Sequence, residues 1–106
     1  MRRKVKDILM KRNEVLRILH EQKNDLLRTY PIASLSIFGS VARDEARSDS
    51  DVDILVEFAR PVGLFQFIDL QQRLEILIGC KVDLGTPRSL KPRIKASVLQ
   101  EAIRVV

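Results

Sequence analysis

The chain has no tryptophan, one tyrosine, one histidine and one cysteine in 106 residues. The lone Cys80 cannot close an internal disulfide, so the fold must rest on its core, and the expected location is intracellular, in the cytoplasm. Beside Gly79 it reads as a small packed residue rather than a reactive thiol. With no Cys/His cluster and only His20 in the first helix, the sequence argues against zinc. Aromatic residues make up 5% of the chain, which leaves few platforms on which single-stranded nucleic acid could stack. No apolar run approaches the roughly 18–20 residues of a membrane span. The opening MRRKVKDILMKR is basic but has no apolar core or cleavage site, so neither membrane insertion nor a secretory signal is expected. There is no internal repeat or low-complexity segment.

What is present is a balanced globular composition. Apolar residues account for 45%, enough for one modest core, and the length fits a single domain spanning 1–106. The net charge of +5 is unevenly spread. Residues 1–28 carry nine Lys/Arg against four Asp/Glu, residues 29–85 five against nine, and residues 86–106 five against one. An acidic centre suits metal binding. Basic ends suit a polyanion or acidic partner, or are ordinary solvated helix faces.

Apolar periodicity predicts one long amphipathic helix over 4–28, ended by Pro31. SLSIF (34–38) reads as a strand, SVARDEA (40–46) as a short helix, RSDS (47–50) as a turn and DVDILVEF (51–58) as a central strand. Leu64 to Ile78 forms a second apolar stripe, with Gly79 placed as its C-cap. Leu64, Phe65 and Phe67 are expected in the core rather than on a partner face. KVDLG (81–85) is a short strand, and 93–103 a last helix with Ile94, Val98, Leu99 and Ala102 facing inward. The order predicts an α/β (α+β) fold, a small mixed sheet flanked by helices.

The chemistry lies in GSVARDEARSDSDVDILVEF, residues 39–58. On a strand, residues two apart point to one face, so Asp51 and Asp53 project together. Their repulsion is relieved by a cation, and Mg²⁺, held by one or two carboxylates plus substrate phosphates, suits them. Alone, the pair could equally cap a solvated strand edge. An EF-hand starting at Asp49 fails, because its sixth and twelfth positions are Ile54 and Arg60. Gly39 lets the backbone approach a ligand closely. A helix beginning near Ser40 would offer N–H groups and its dipole to a phosphate, with the Ser40 hydroxyl adding a hydrogen bond. Arg43 and Arg47 are near enough in sequence to neutralise phosphate charge, or are exposed loop arginines.

Gly39-Ser40 followed by Asp51-Val52-Asp53 resembles the signature of the nucleotidyltransferase superfamily, the fold of DNA polymerase beta and kanamycin nucleotidyltransferase. The longer stretch is most similar to the minimal nucleotidyltransferases, the MNT proteins of prokaryotes. The family wording has glycine where this chain has Asp44, which predicts a differently conformed loop after Arg43. The resemblance implies a third carboxylate in a V-D-L context, here Asp83 in KVDLGTP. It implies that Asp51 and Asp53 bind two Mg²⁺ ions, and that Asp83 binds the catalytic one and helps activate the attacking hydroxyl. Two-metal transfer would then move AMP from ATP to an acceptor with release of pyrophosphate. The resemblance further implies an all-helical HEPN partner, a ribonuclease toxin whose tyrosine is adenylylated by its MNT antitoxin in a hetero-oligomer. Direct nucleic-acid binding is not expected. The competing readings are an antitoxin that acts by contact alone, a transferase for a small molecule or RNA end, and a nucleic-acid-binding protein using the basic ends.

Overall fold

A computed structural model describes residues 11–47 and 50–106. The elements follow in the order α1 (Arg12–Glu21), α2 (Lys23–Thr29), β1 (Ile32–Phe38), α3 (Gly39–Ala42), β2 (Val52–Phe58), α4 (Leu64–Ile78), β3 (Val82–Gly85), a 3-10 turn (Pro87–Ser89), α5 (Pro92–Glu101) and β4 (Ile103–Arg104). The strands form one mixed sheet in the order β3-β2-β1-β4. β1 runs antiparallel to β2 and β4, and β2 runs parallel to β3. The expected small mixed sheet flanked by helices is therefore found.

The core lies on one face of this sheet. Leu35 and Ile37 of β1 and Ile54 and Val56 of β2 meet Val15 and Leu19 of α1 and Leu70 and Leu74 of α4, all fully buried. Each helix contributes a pair four residues apart, so both side chains point the same way. On the strands the inward residues alternate. The opposite sheet face carries Ser34, Ser36, Asp53 and Glu57, and there Ser34 donates a hydrogen bond to Glu57 at 3.0 Å. Its one buried apolar residue on β2 is Leu55.

Several sequence expectations need correction. The first helix is broken at Gln22 (φ −95°, ψ 3°) into α1 and α2; residues 4–10 of the expected helix lie outside the described residues. α2 does end before Pro31, with Tyr30 extended. β1 starts at Ile32, and an irregularity between Ile32 and Ser34 restores the inward phase of Leu35 and Ile37. α3 is a single turn rather than a helix over 40–46. Gly79 caps α4 as expected, at φ +86°. Phe67 packs against the core, but Leu64 and Phe65 are exposed, Phe65 at 88%. They occupy the first turn of α4, beyond the sheet's coverage. α5 buries Val98 while Ile94 and Leu99 stay largely exposed. α5 stops at Glu101, and Ile103–Arg104 add an edge strand that the helical periodicity had absorbed. Among the described residues no helix is long and apolar enough to cross a membrane.

These burials set the energetics. Leu74→Ala should lower the unfolding free energy by about 2–4 kcal/mol, because the cavity adds to the lost transfer energy. Phe65→Ser should change it by less than about 0.5 kcal/mol. Urea denaturation of the two variants tests the pair.

Candidate active site

The sheet register decides which carboxylates meet. Asp53 on β2 is the direct partner of Asp83 on β3. Adjacent strands stand about 4.8 Å apart, so the two carboxylates rise side by side from one face. Asp51 precedes β2 by one residue and is exposed. It is close enough to act electrostatically on Asp53. Burial, then the charges of Asp83 and Asp51, push the Asp53 carboxyl up to about 6, and Arg43 opposes them. Among the described residues, no group of three or more Asp, Glu, Cys or His side chains is arranged so that it could hold a metal ion.

Gly39 presses on the same group. β1 pairs Phe38 with Asp53, so the next residue turns directly over the carboxylate. A Cβ at Gly39 would lie 3.0 Å from the Asp53 Cγ and would overlap its Oδ2. The glycine also takes φ +71°, where other residues lose about 1–2 kcal/mol. Ser40 follows at the start of α3. A single turn sums little dipole, so the phosphate-binding capacity expected there reduces to the turn's first N–H groups, which have no acceptor within the helix.

The chain leaves α3 through Arg43 and Asp44. Asp44 adopts φ +60°, the left-handed conformation glycine takes most easily. The residue that departs from the family wording stands in a conformation open to glycine. Its Oδ1 accepts the Arg12 backbone N–H at 3.3 Å. Arg43 is exposed but not idle: its Nε donates to Glu45 and its Nη1 to Glu101, both at 3.0 Å. Arg47 is exposed. Its backbone exchanges two 2.9 Å hydrogen bonds with Ser50, one to the Ser50 side chain. Its side chain makes no ion pair among the described residues.

Sequence reading missed the residues that set β3. Gln71 donates to the Val82 carbonyl at 2.9 Å, and Glu75 accepts the Val82 N–H at 3.0 Å. These side chains, four apart on α4, hold both outward backbone groups of the residue before Asp83. The i,i+4 spacing of Gln71 and Glu75 is visible in the sequence, but nothing local to it indicates a strand to hold. Cys80 is half-buried, and burial followed by Asp51 and Glu75 raises its thiol pKa. This is the opposite of activation.

With that geometry in view, the comparisons with known proteins are decisive. The nucleotidyltransferase domain family matches residues 19–105. The chain belongs to that family. A protein adenylyltransferase, MntA, of Thermococcus cleftensis is 42% identical over 92 residues, covering 87% of this chain and 93% of the relative. A solved chain provisionally described as a minimal nucleotidyltransferase is 41% identical with TM-score 0.74, covering 89% of this chain and 95% of its own. The fold is shared also by a chain from the tri-AMPylated HEPN toxin of Shewanella oneidensis in complex with its MNT antitoxin, at 22% identity and TM-score 0.62, covering 86% of this chain and 71% of that one. This minimal nucleotidyltransferase is accordingly an enzyme of the adenylyltransferase kind.

Two outcomes follow for the site. Folding keeps a proton on Asp53 up to about pH 6, whereas the unfolded chain releases it near pH 4. The protonated form's contribution to stability is complete below about pH 4 and is lost as pH rises through about 6. Asp53→Asn should abolish that slope and raise stability at neutral pH by about 1 kcal/mol, a value reduced for solvent screening; denaturation from about pH 4 to 8 reads it. Gly39→Ala should cost at least about 2 kcal/mol and displace the Asp53 carboxylate, visible as a lowered thermal midpoint.

Proposed function

We propose that this minimal nucleotidyltransferase transfers AMP from ATP, with Mg²⁺, to a tyrosine hydroxyl of a HEPN ribonuclease toxin and thereby acts as its antitoxin. The observation that carries the proposal is the register pairing of Asp53 with Asp83, with Asp51 alongside and Gly39-Ser40 turning over the pair. The protein adenylyltransferase relative supports the reaction, and the fold shared with the toxin–antitoxin complex supports the partner.

The donor chemistry suits Mg²⁺, although as they stand the three carboxylates do not close on one point. All three side chains offer hard oxygen, the site is partly open, and Asp53 is held among like charges at an energetic cost that a cation would offset. Asp51 and Asp53 would hold both ions, and Asp83 the one nearer the acceptor. When bound, Mg²⁺ would neutralise the triphosphate and lower the pKa of the acceptor hydroxyl.

The chain's own groups do the rest. The N–H groups at Ser40 and Val41, with the Ser40 hydroxyl, receive phosphate oxygens, and Gly39 permits the approach. Arg43 adds charge beside them. Asp83, the exposed member of the carboxylate pair, is reachable by an incoming hydroxyl and takes its proton. The acceptor oxygen then bonds to the α-phosphorus while the bond from that phosphorus to the bridging oxygen breaks, and pyrophosphate leaves.

The test is label transfer. The chain is co-purified with its HEPN partner and incubated with Mg²⁺ and ATP labelled at the α-phosphate. Label is expected on the partner's tyrosine. Asp51→Asn or Asp53→Asn should reduce it by at least about a hundredfold, and Asp83→Asn should slow it with less loss of nucleotide affinity. Wild-type transfer by both Asp51 and Asp53 variants would sink the assignment. An unlabelled partner silenced in a stable complex would instead establish neutralisation by contact.

A further inference from the structure

Arg43 is gripped from two directions. Glu45, two residues on, takes its Nε–H, and Glu101, at the last position of α5, takes an Nη1–H. The first clasp is local. The second joins residues 58 apart in the chain and ties the end of α5 to the end of α3. The Glu101 side chain is the more enclosed partner, at 29% exposure against 46% for Arg43.

Glu101 is poorly placed for any purpose of its own helix. A carboxylate in the last helical turn faces the negative end of the dipole, where Lys, Arg or His is favoured, and α5 has no basic residue in its last turn. An exposed ion pair of this kind adds little to stability. Neither helix electrostatics nor stability accounts for the residue. What the contact does accomplish is geometric. Arg43 follows a one-turn helix that gives it little support, and a free arginine has many rotamers to lose on binding a ligand. Nε and Nη1 point at carboxylates, while Nη2 makes no hydrogen bond among the described residues. Arg43 directly follows α3, the turn whose Gly39 packs on the Asp53 carboxylate, and it also acts electrostatically on Asp53.

We propose that Glu101 is a positioning residue: through its hydrogen bond to Nη1 it holds the Arg43 guanidinium so that the free edge faces the triphosphate bound at Gly39-Ser40. The inference rests on the phosphate-binding role of that turn and on no particular acceptor. Preorganising a side chain in this way raises affinity by reducing the ordering left to do on binding.

The experiment measures binding of AMP-PNP with MgCl₂ by calorimetry, using the full chain and needing no acceptor. Four proteins are compared: wild type, Glu101→Ala, Arg43→Ala and the double variant. Glu101→Ala should weaken binding about three- to tenfold, with the thermal midpoint moved by less than about 3 °C. Arg43→Ala should weaken it at least as much, and adding Glu101→Ala to Arg43→Ala should change it no further. Glu101→Asp, which keeps the charge on a shorter arm, should recover part of the loss. The proposal is overturned if Glu101→Ala binds as tightly as wild type, or if it weakens binding equally with and without Arg43. Failure of the wild type to bind AMP-PNP would overturn the nucleotide reading itself, a separate result. In steady-state transfer, the Glu101→Ala effect should appear in KM for ATP and leave KM for the acceptor unchanged.

Discussion

The candidate site depends on the parallel pairing of β2 with β3. It puts Asp53 beside Asp83, two like charges that would separate if the strands were free to shift. A parallel pair cannot be joined by a tight turn; it needs a crossover, and α4 supplies it. The inner side of α4 anchors the crossover through Leu70, Leu74 and Ile78 in the core. A different side, through Gln71 and Glu75, grips Val82 at the sheet edge. The Val52 N–H donates to the Lys81 carbonyl at 2.9 Å and closes the pair on its inner side. Hydrophobic burial and backbone hydrogen bonds thus hold in place a carboxylate pair that works against the fold.

Other conflicts with local preference gather at the same end of the sheet. Gly39 and Asp44 both take positive φ, within six residues of each other, and Arg43 lies between them. Asp44 accepts the backbone N–H that opens α1, and the Arg12 guanidinium donates to the Ala42 carbonyl at 3.3 Å. The first helix therefore braces the turn that carries the glycine and the arginine. Strained backbone and crowded charge are tolerated where the surrounding structure over-determines them. Here the packed face of the sheet does so, while the face bearing Asp53 stays partly open to substrates.

The nucleotidyltransferase motif itself was legible without coordinates. Gly39-Ser40, Asp51 and Asp53 form a local pattern whose chemistry follows from residue type and spacing, whereas Asp83 was implied only by the family resemblance. Gly79 as a helix stop and Pro31 as a helix limit were legible for the same reason, since each acts on its own backbone. The exposure of Leu64 and Phe65 was not. Periodicity says which side chains share a helix face, but not whether another element lies opposite. β4 was hidden because two residues are too few to show a period, and its existence depends on a partner strand about seventy residues earlier.

The amino-acid sequence by itself determined the kinds of groups available and their local geometry: a glycine free to turn, two carboxylates separated by one residue, and apolar stripes that demand burial. Those properties act over a few bonds or one helical turn. Only the tertiary structure decided that Asp83 stands beside Asp53, that Gln71 and Glu75 hold the strand carrying it, and that Glu101 reaches Arg43. Each of these is a contact between segments far apart in sequence. Its existence depends on how the core packs, and no local pattern encodes that distance.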